Sequence, residues 1–493
     1  MVLLFAALIS CPLASALVAT SCVPGAAPVP HVHAVRPRPL FPVHPARVHG
    51  RQPVRMCSTP TALGKATRTV GSLGAIVSAD VALRRLFLAR AIPFPSSLAG
   101  MLGLFGGLCT LQALNPTIAK WLSDATEPGC AFISRWLALF FVPNLVLLPL
   151  VIQMSASEAA RLGLLVVVGL SASLPLAALT ATASLTDSGT PHTPTAGPSP
   201  PPSAAPAVRE YLLAPPTGAL AAVGAVSGVA AVVGARLGAG WATSLPNLTL
   251  LICTVVGFVF GGTLPKSTQK VLHPLITCTL ITQCAAGVIA TAAGLPLRSV
   301  LRGYLVPGGA PMASPGNLLL FMLGPATLSF GVQMYGRRQL MMQSARAVTA
   351  VTTVSAAFGL FATAIAGRVL RLGAGVRLAA LPRQVTAPLA IAIAGMIKAD
   401  PSLAATIVVV TGLLAANFGR AVLDALNIRS PVARGLAMGA AGHGLGTAAM
   451  AEEKEAFPFA AIAMALNAAL STVLVSVPPV RKALLAAAGV PAV

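Results

Sequence analysis

Apolar runs of roughly twenty residues recur from the region of Leu83 to the C-terminus, separated by short clusters of Pro, Gly and basic residues. A helix of about that length crosses the hydrocarbon core of a bilayer. The runs fall at roughly 66–88, 94–115, 131–154 and 159–184, and resume at 217–237, 246–264, 271–293, 316–335, 345–370, 378–397, 402–425, 431–450 and 456–478. The pattern predicts an all-α polytopic membrane protein of about twelve transmembrane helices. Asp80, Arg84 and Arg85 interrupt the first run, which is expected to lie partly at the interface. Pro95-Ser96-Ser97 sets a helix start in the second. Pro143 in the third predicts a kink.

Some of the later runs are broken from within. Leu381-Pro382-Arg383-Gln384-Val385-Thr386-Ala387-Pro388 and Gly439-Ala440-Ala441-Gly442-His443-Gly444-Leu445-Gly446-Thr447 are helix-breaking clusters in apolar surroundings. Backbone cannot go unpaired against lipid, so such breaks are tolerated only where protein or a wet cavity covers them. They therefore suggest a buried polar site between broken helices of the C-terminal half. Pro388 disfavours the α region at Ala387, so an extended segment followed by a helix from Pro388 is expected. That helix start would offer N–H groups and a partial positive charge to an anion. Arg383 could supply a carboxylate partner, with Gln384 and Thr386 as neutral donors; equally, a loop Arg383 could snorkel to a lipid headgroup. Gly442, Gly444 and Gly446 let backbone bend near a ligand, and Thr447 could cap a short helix over 448–450. His443 is either a ligand-binding group or a satisfied structural one. A weaker third break, Leu323-Gly324-Pro325-Ala326-Thr327, adds Thr327 to the candidates.

Composition narrows the chemistry. The chain is 56% apolar and 9% charged, with a mean hydropathy of +0.84. A soluble globule carries roughly a quarter charged residues. The net charge of +22 sits largely in the N-terminal region and in short loops, where basic residues border spans. Aromatics are too scattered for base stacking, so no nucleic-acid partner is expected. The eight cysteines form no CxxC pair or Cys/His metal spacing, so no metal site is indicated. No carboxylate occurs between Glu210 and Asp400. Proton relays and cation sites usually keep acids in mid-membrane, so an anionic substrate is favoured.

Two stretches stand apart. Residues 1–65 hold no Asp or Glu but include Arg36, Arg38, Arg47, Arg51 and Arg55, which reads as an organelle transit peptide. Residues 185–216 are a Pro/Ser/Thr-rich linker between an N-terminal membrane unit, 66–184, and a larger C-terminal one, 217–485.

The blocks Leu323–Thr327, Pro382–Ala390, Pro431–Ala437 and Gly442–Ala448 make the C-terminal unit resemble the LrgB/CidB membrane family. Phe94–Met101 and Phe140–Pro143 make the N-terminal unit similar to the LrgA/CidA family. Two departures are Arg383, where bacterial relatives usually carry Lys, and His273-Pro274, where Asn-Pro is usual. A fused chain of this kind with a transit peptide resembles the plastid carriers of plants and algae. The resemblance implies a multi-pass plastid inner-envelope transporter that exports glycolate and imports glycerate during photorespiration, with no cofactor and no catalysed reaction. A homo-oligomer in the lipid bilayer is compatible with it. The alternative is a holin/antiholin-like pore or regulator, as suggested for bacterial relatives. An intramembrane enzyme would need a nucleophile–base pair or a metal cluster, and the sequence displays neither.

Plastid import with removal of the leader within the 50–70 region is the expected outcome. N-terminal sequencing of protein isolated from the organelle checks it; a chain that still begins at Met1 would count against the leader.

Overall fold

The computed structural model describes residues 62–186, 223–230 and 245–490, except 93, 152, 153, 225, 270, 271 and 307. The expected leader up to residue 61 and the linker from residue 187 lie outside the described residues, as does most of the 217–237 run. Everything regular in the described residues is helical. The described chain opens with α1 (Ala62–Ala89), α2 (Ser96–Leu114), α3 (Pro116–Trp136) and α4 (Ala156–Thr186). Then come α5 (Leu245–Thr263), α6 (Pro274–Ala293), α7 (Leu297–Tyr304), α8 (Pro315–Phe321), α9 (Leu323–Gly336) and α10 (Ala345–Val369). The chain ends with α11 (Ala374–Ala380), α12 (Ala387–Met396), α13 (Pro401–Ala425), α14 (Pro431–Ala449), α15 (Phe457–Ser476) and α16 (Pro478–Ala487). Nine helical stretches among the described residues are long and apolar enough to cross a membrane, so the chain is an all-α polytopic membrane protein.

The differences from the expected spans have local causes. α3 starts at Pro116, well before the apolar run, because Asn115 accepts the Ile118 N–H at 3.1 Å and caps it. Lys120, Asp124 and Glu127 hide that helix from a hydropathy pattern. The 131–154 run then splits at Trp136 into a 3-10 turn (Leu137–Phe141) and the short helices Val142–Val146 and Leu148–Val151. The 378–397 run is two helices, α11 and α12, rather than one. At the third break the chain bends at Met322, ahead of Gly324 and Pro325, which lie in the first turn of α9. His273 has a local structural role: its Nδ1 accepts the Leu275 N–H at 3.3 Å and caps α6. Burial pushes that imidazole down to about 4, in keeping with a neutral ring accepting at Nδ1.

Without a hydrophobic force between helices inside lipid, close packing depends on small residues that let backbones approach. α14 is the clearest case, with nearly every residue from Val432 to His443 buried between α15, α13 and α4. Gly435 faces the Ala456 carbonyl and Gly439 the Ala460 carbonyl so closely that neither site has room for a Cβ. α1 and α9 meet in another way. Asp80, fully buried, accepts from Arg84 Nε at 2.7 Å, and the pair fills the space left by the missing side chain of Gly324. Arg84 also stacks on Phe321, 5.4 Å from the ring centre. The glycine of the Leu323–Thr327 block is thus a docking position for an ion pair.

α4 packs on α10, α14 and α13, and its Glu158 accepts the Gly373 N–H at 2.8 Å. It is therefore part of the wall around the broken helices.

A Gly439→Val change should destabilise the protein by about 1–3 kcal/mol, because its Cβ would meet backbone that cannot move aside. Gly287, which has open space beside it, is the control. Thermal unfolding of detergent-purified protein should show a clear loss for Gly439→Val and little change for Gly287→Ala.

Candidate functional site

The polar centre forms where α11 ends and α12 begins. Residues 381–385 pass through consecutive turns rather than the extended segment expected, with Arg383 N–H donating to Ala380 O at 3.1 Å and Val385 N–H to Pro382 O at 2.9 Å. Turns let the chain pair its own backbone groups in an interior without water. Only Thr386 is extended, and α12 starts at Ala387. Pro388, half-buried, occupies the first turn. The Thr386 hydroxyl makes no cap and is buried without a partner.

Arg383 is the largest fully buried side chain among the described residues, at 1% exposed. Its Nε donates to Thr363 Oγ1 of α10 at 2.9 Å. Gly169 of α4 lies so close that a Cβ there would fall 2.6 Å from Nη2. Nη1 has no partner, and no carboxylate among the described residues pairs with the guanidinium. A buried cation left without its counter-charge costs several kcal/mol in typical cases. Gln384, beside it, is 3% exposed, and neither its Oε1 nor its Nε2 has a partner. Its amide packs on Gly359, one turn before Thr363 on α10. Ser355, a further turn back on that face, has an unpartnered buried hydroxyl as well.

The second break is sharper. Helical hydrogen bonding continues on both sides of it in α14, but His443 has φ 43° and ψ −138°, in a region L-residues rarely occupy. Such a conformation costs about 1–3 kcal/mol and persists only where its surroundings over-determine it. Here His443 Nε2 lies 2.8 Å from Val408 O of α13, and the ring is seated on Gly412. The carbonyl can only accept, so Nε2 carries the proton. Gly442 packs on Ala415 and Gly446 against the Met438 carbonyl, whereas Gly444 has room beside it. Thr447 does not cap a new helix: it lies within α14 and donates to Ala460 O at 3.3 Å. The 448–450 segment needs no cap because it continues directly from that turn.

One residue joins the two breaks. Asn467 of α15, 1% exposed, donates from Nδ2 to Gln384 O and to Ala440 O, each at 3.1 Å. Its Oδ1 is buried without a partner. Among the described residues, ten buried side-chain polar atoms lack a partner, and Arg383, Gln384, Thr386 and Asn467 supply five of them. Buried polar groups are otherwise almost always paired, and half of the unpaired ones gather at this break. Thr327 stands apart, its hydroxyl donating to Leu323 O at 2.9 Å within its own helix. Asn467, Thr363 and Gly169 were not evident in sequence. Asn467 had a signal, an amide in the middle of an apolar run; Gly169 had none.

The LrgB-like family model matches residues 254–479, which contain both breaks and Asn467. Plastidal glycolate/glycerate translocator 1, chloroplastic, of Arabidopsis thaliana is 39% identical over 428 residues, 85% of this chain and 80% of that protein. The chain belongs to the LrgB-like family. A second relative, the uncharacterized protein YwbG of Bacillus subtilis (strain 168), is 32% identical over 152 residues, 30% of this chain and 68% of its own. No solved structure matches. The Arabidopsis match is too long to be confined to the LrgB-like segment, so it also takes in residues outside it.

Thr363→Val should leave a second guanidinium nitrogen unpartnered and lower stability by about 1–3 kcal/mol. Thr363→Ser, which keeps the acceptor, should lose much less. Melting temperatures of the two variants compared with the parent protein check this.

Proposed function

We propose that this LrgB-like chain is a multi-pass carrier of the plastid inner envelope for small 2-hydroxy acid anions, glycolate and glycerate. One observation carries the reading at the level of chemistry: Arg383 is a sealed guanidinium with a free Nη1 and, among the described residues, no carboxylate beside it. An incoming carboxylate would supply the missing counter-charge and a charge-assisted hydrogen bond. Gln384 and Thr386 add uncommitted polar atoms on the same turn. The relation to a plastidal glycolate/glycerate translocator names the anions and the organelle.

The same electrostatics suggests how transport is coupled. An empty site is a bare buried cation, and a loaded one is neutral. Shifting an uncompensated charge through a low-dielectric interior is costly, so the loaded carrier should reorient faster than the empty one. Exchange of one hydroxy acid for another follows naturally. The breaks at 381–386 and His443 are the places where α11, α12 and α14 can pivot, as discontinuous helices do in other carriers. His443 acts here as a positioning residue, since its Nε2 is engaged by Val408 O. Thr447 is likewise engaged by Ala460 O.

Uptake of labelled glycolate and glycerate into liposomes containing the purified protein is the direct test. Saturable uptake of both is expected, and uptake linear in concentration would instead mark a pore. Arg383→Gln should raise the apparent KM for both anions on the order of thirtyfold or more, since losing one partner of a buried charged hydrogen bond costs about 2–5 kcal/mol. Arg383→Lys should retain part of the affinity, because charge survives while the planar fork is lost. Equal saturation curves for the parent protein and Arg383→Gln would remove Arg383 from the site.

A further inference from the structure

Asn467 occupies the middle of α15, within Ala465-Leu466-Asn467-Ala468-Ala469. Its orientation is determined by its neighbours. Both amide N–H bonds are used, one on Gln384 O and one on Ala440 O. Turning the amide over would set its oxygen against two carbonyl oxygens, which repel it. What remains is Oδ1, an atom that can only accept, buried and unpartnered.

That remaining atom differs in kind from the others in the break. Arg383 Nη1 can only donate. The Thr386 hydroxyl and the Gln384 amide can do either, so neither discriminates between a donor and an acceptor on a ligand. Thr447 Oγ1 and His443 Nε2 are already engaged, and His443 Nδ1, the lone-pair nitrogen of that tautomer, belongs to the other break. A cationic donor and a neutral pure acceptor therefore belong to one buried break, tied together by the Asn467–Gln384 hydrogen bond. A 2-hydroxy acid carries the complementary pair on adjacent carbons, a carboxylate and an O–H.

We propose that Asn467 Oδ1 accepts the hydrogen bond of the substrate's 2-hydroxyl and so selects hydroxy acids over plain acids. The inference rests on the reading of the Arg383 break as the transport site. Asn467 would then do two things with one amide: its Nδ2 holds the breaks of α11/α12 and α14 in register, and its Oδ1 reads the ligand. A site that leaves a buried acceptor unpaired disfavours the analogue lacking the donor.

The test is competition against labelled glycolate uptake in liposomes holding the full chain. The competitors are unlabelled glycolate, acetate and fluoroacetate. Fluoroacetate keeps the size and polarity of the substituent but has no O–H to donate. In the parent protein both analogues should compete about tenfold or more weakly than glycolate, the usual scale for a buried acceptor left unpaired. In Asn467→Ala the preference should collapse towards equality, with glycolate losing far more affinity than acetate. A purely structural Asn467 would weaken all three acids together and keep their ratio, which would overturn the proposal. If Asn467→Ala does not fold, the parent protein decides alone: fluoroacetate competing as well as glycolate overturns the proposal. Two controls separate this inference from the reading beneath it. Saturable glycolate uptake that is sensitive to Arg383→Gln, with no preference for the hydroxyl, sinks Asn467 only. Glycolate uptake that never saturates sinks both.

Discussion

Inside a bilayer no water is at hand to pair a stray N–H or carbonyl, and a stray charge is costlier still. That constraint acts on Arg383 more severely than on any other described residue. Its guanidinium is enclosed by Thr363, Gly169 and the turns of 381–385, with one nitrogen satisfied by a hydroxyl and, among the described residues, no acid to balance it. The surrounding helices serve to keep that arrangement closed. α10 provides the hydroxyl, α4 the glycine, and α15 the amide that ties the break to α14.

The two breaks solve the pairing problem differently. At 381–385 the backbone turns on itself, so that the main chain is paired and the side chains are left free. At His443 a strained backbone is held by a side-chain contact to Val408 on α13. The first break thus offers polar side-chain atoms, while the second stores strain and commits its imidazole. For a carrier this is a sensible division: one break can bind and the other can bend. Asn467 makes the two depend on each other, since any movement that separates Gln384 from Ala440 must break one of its hydrogen bonds.

Glycines set how closely the helices around this site can approach. Gly435 and Gly439 bring α14 against the backbone of α15, and Gly169 brings α4 against Arg383. α4 lies far from Arg383 in sequence, yet its Gly169 closes one side of that guanidinium.

Much of this was legible in the sequence. Apolar runs of spanning length determined the all-α membrane class, because a helix is the simple way for such a run to pair its backbone in lipid. The Pro and Gly clusters marked both breaks, since those residues cannot continue a helix without cost. The absence of acids between Glu210 and Asp400 showed that Arg383 has no counter-charge nearby in sequence, which is the basis of the anion site proposed there. Tertiary structure alone decided the rest. Hydropathy could not show that α3 begins at Pro116, because its charged face looks like a loop until Asn115 is seen to cap it. Nor could spacing show that Thr447 is engaged by Ala460, that Gly324 receives the Asp80–Arg84 pair, or that Asn467 binds both breaks. Each of these is a contact between separate helices. A side chain's free valences depend on which neighbour reaches it first, and only the packed structure determines that.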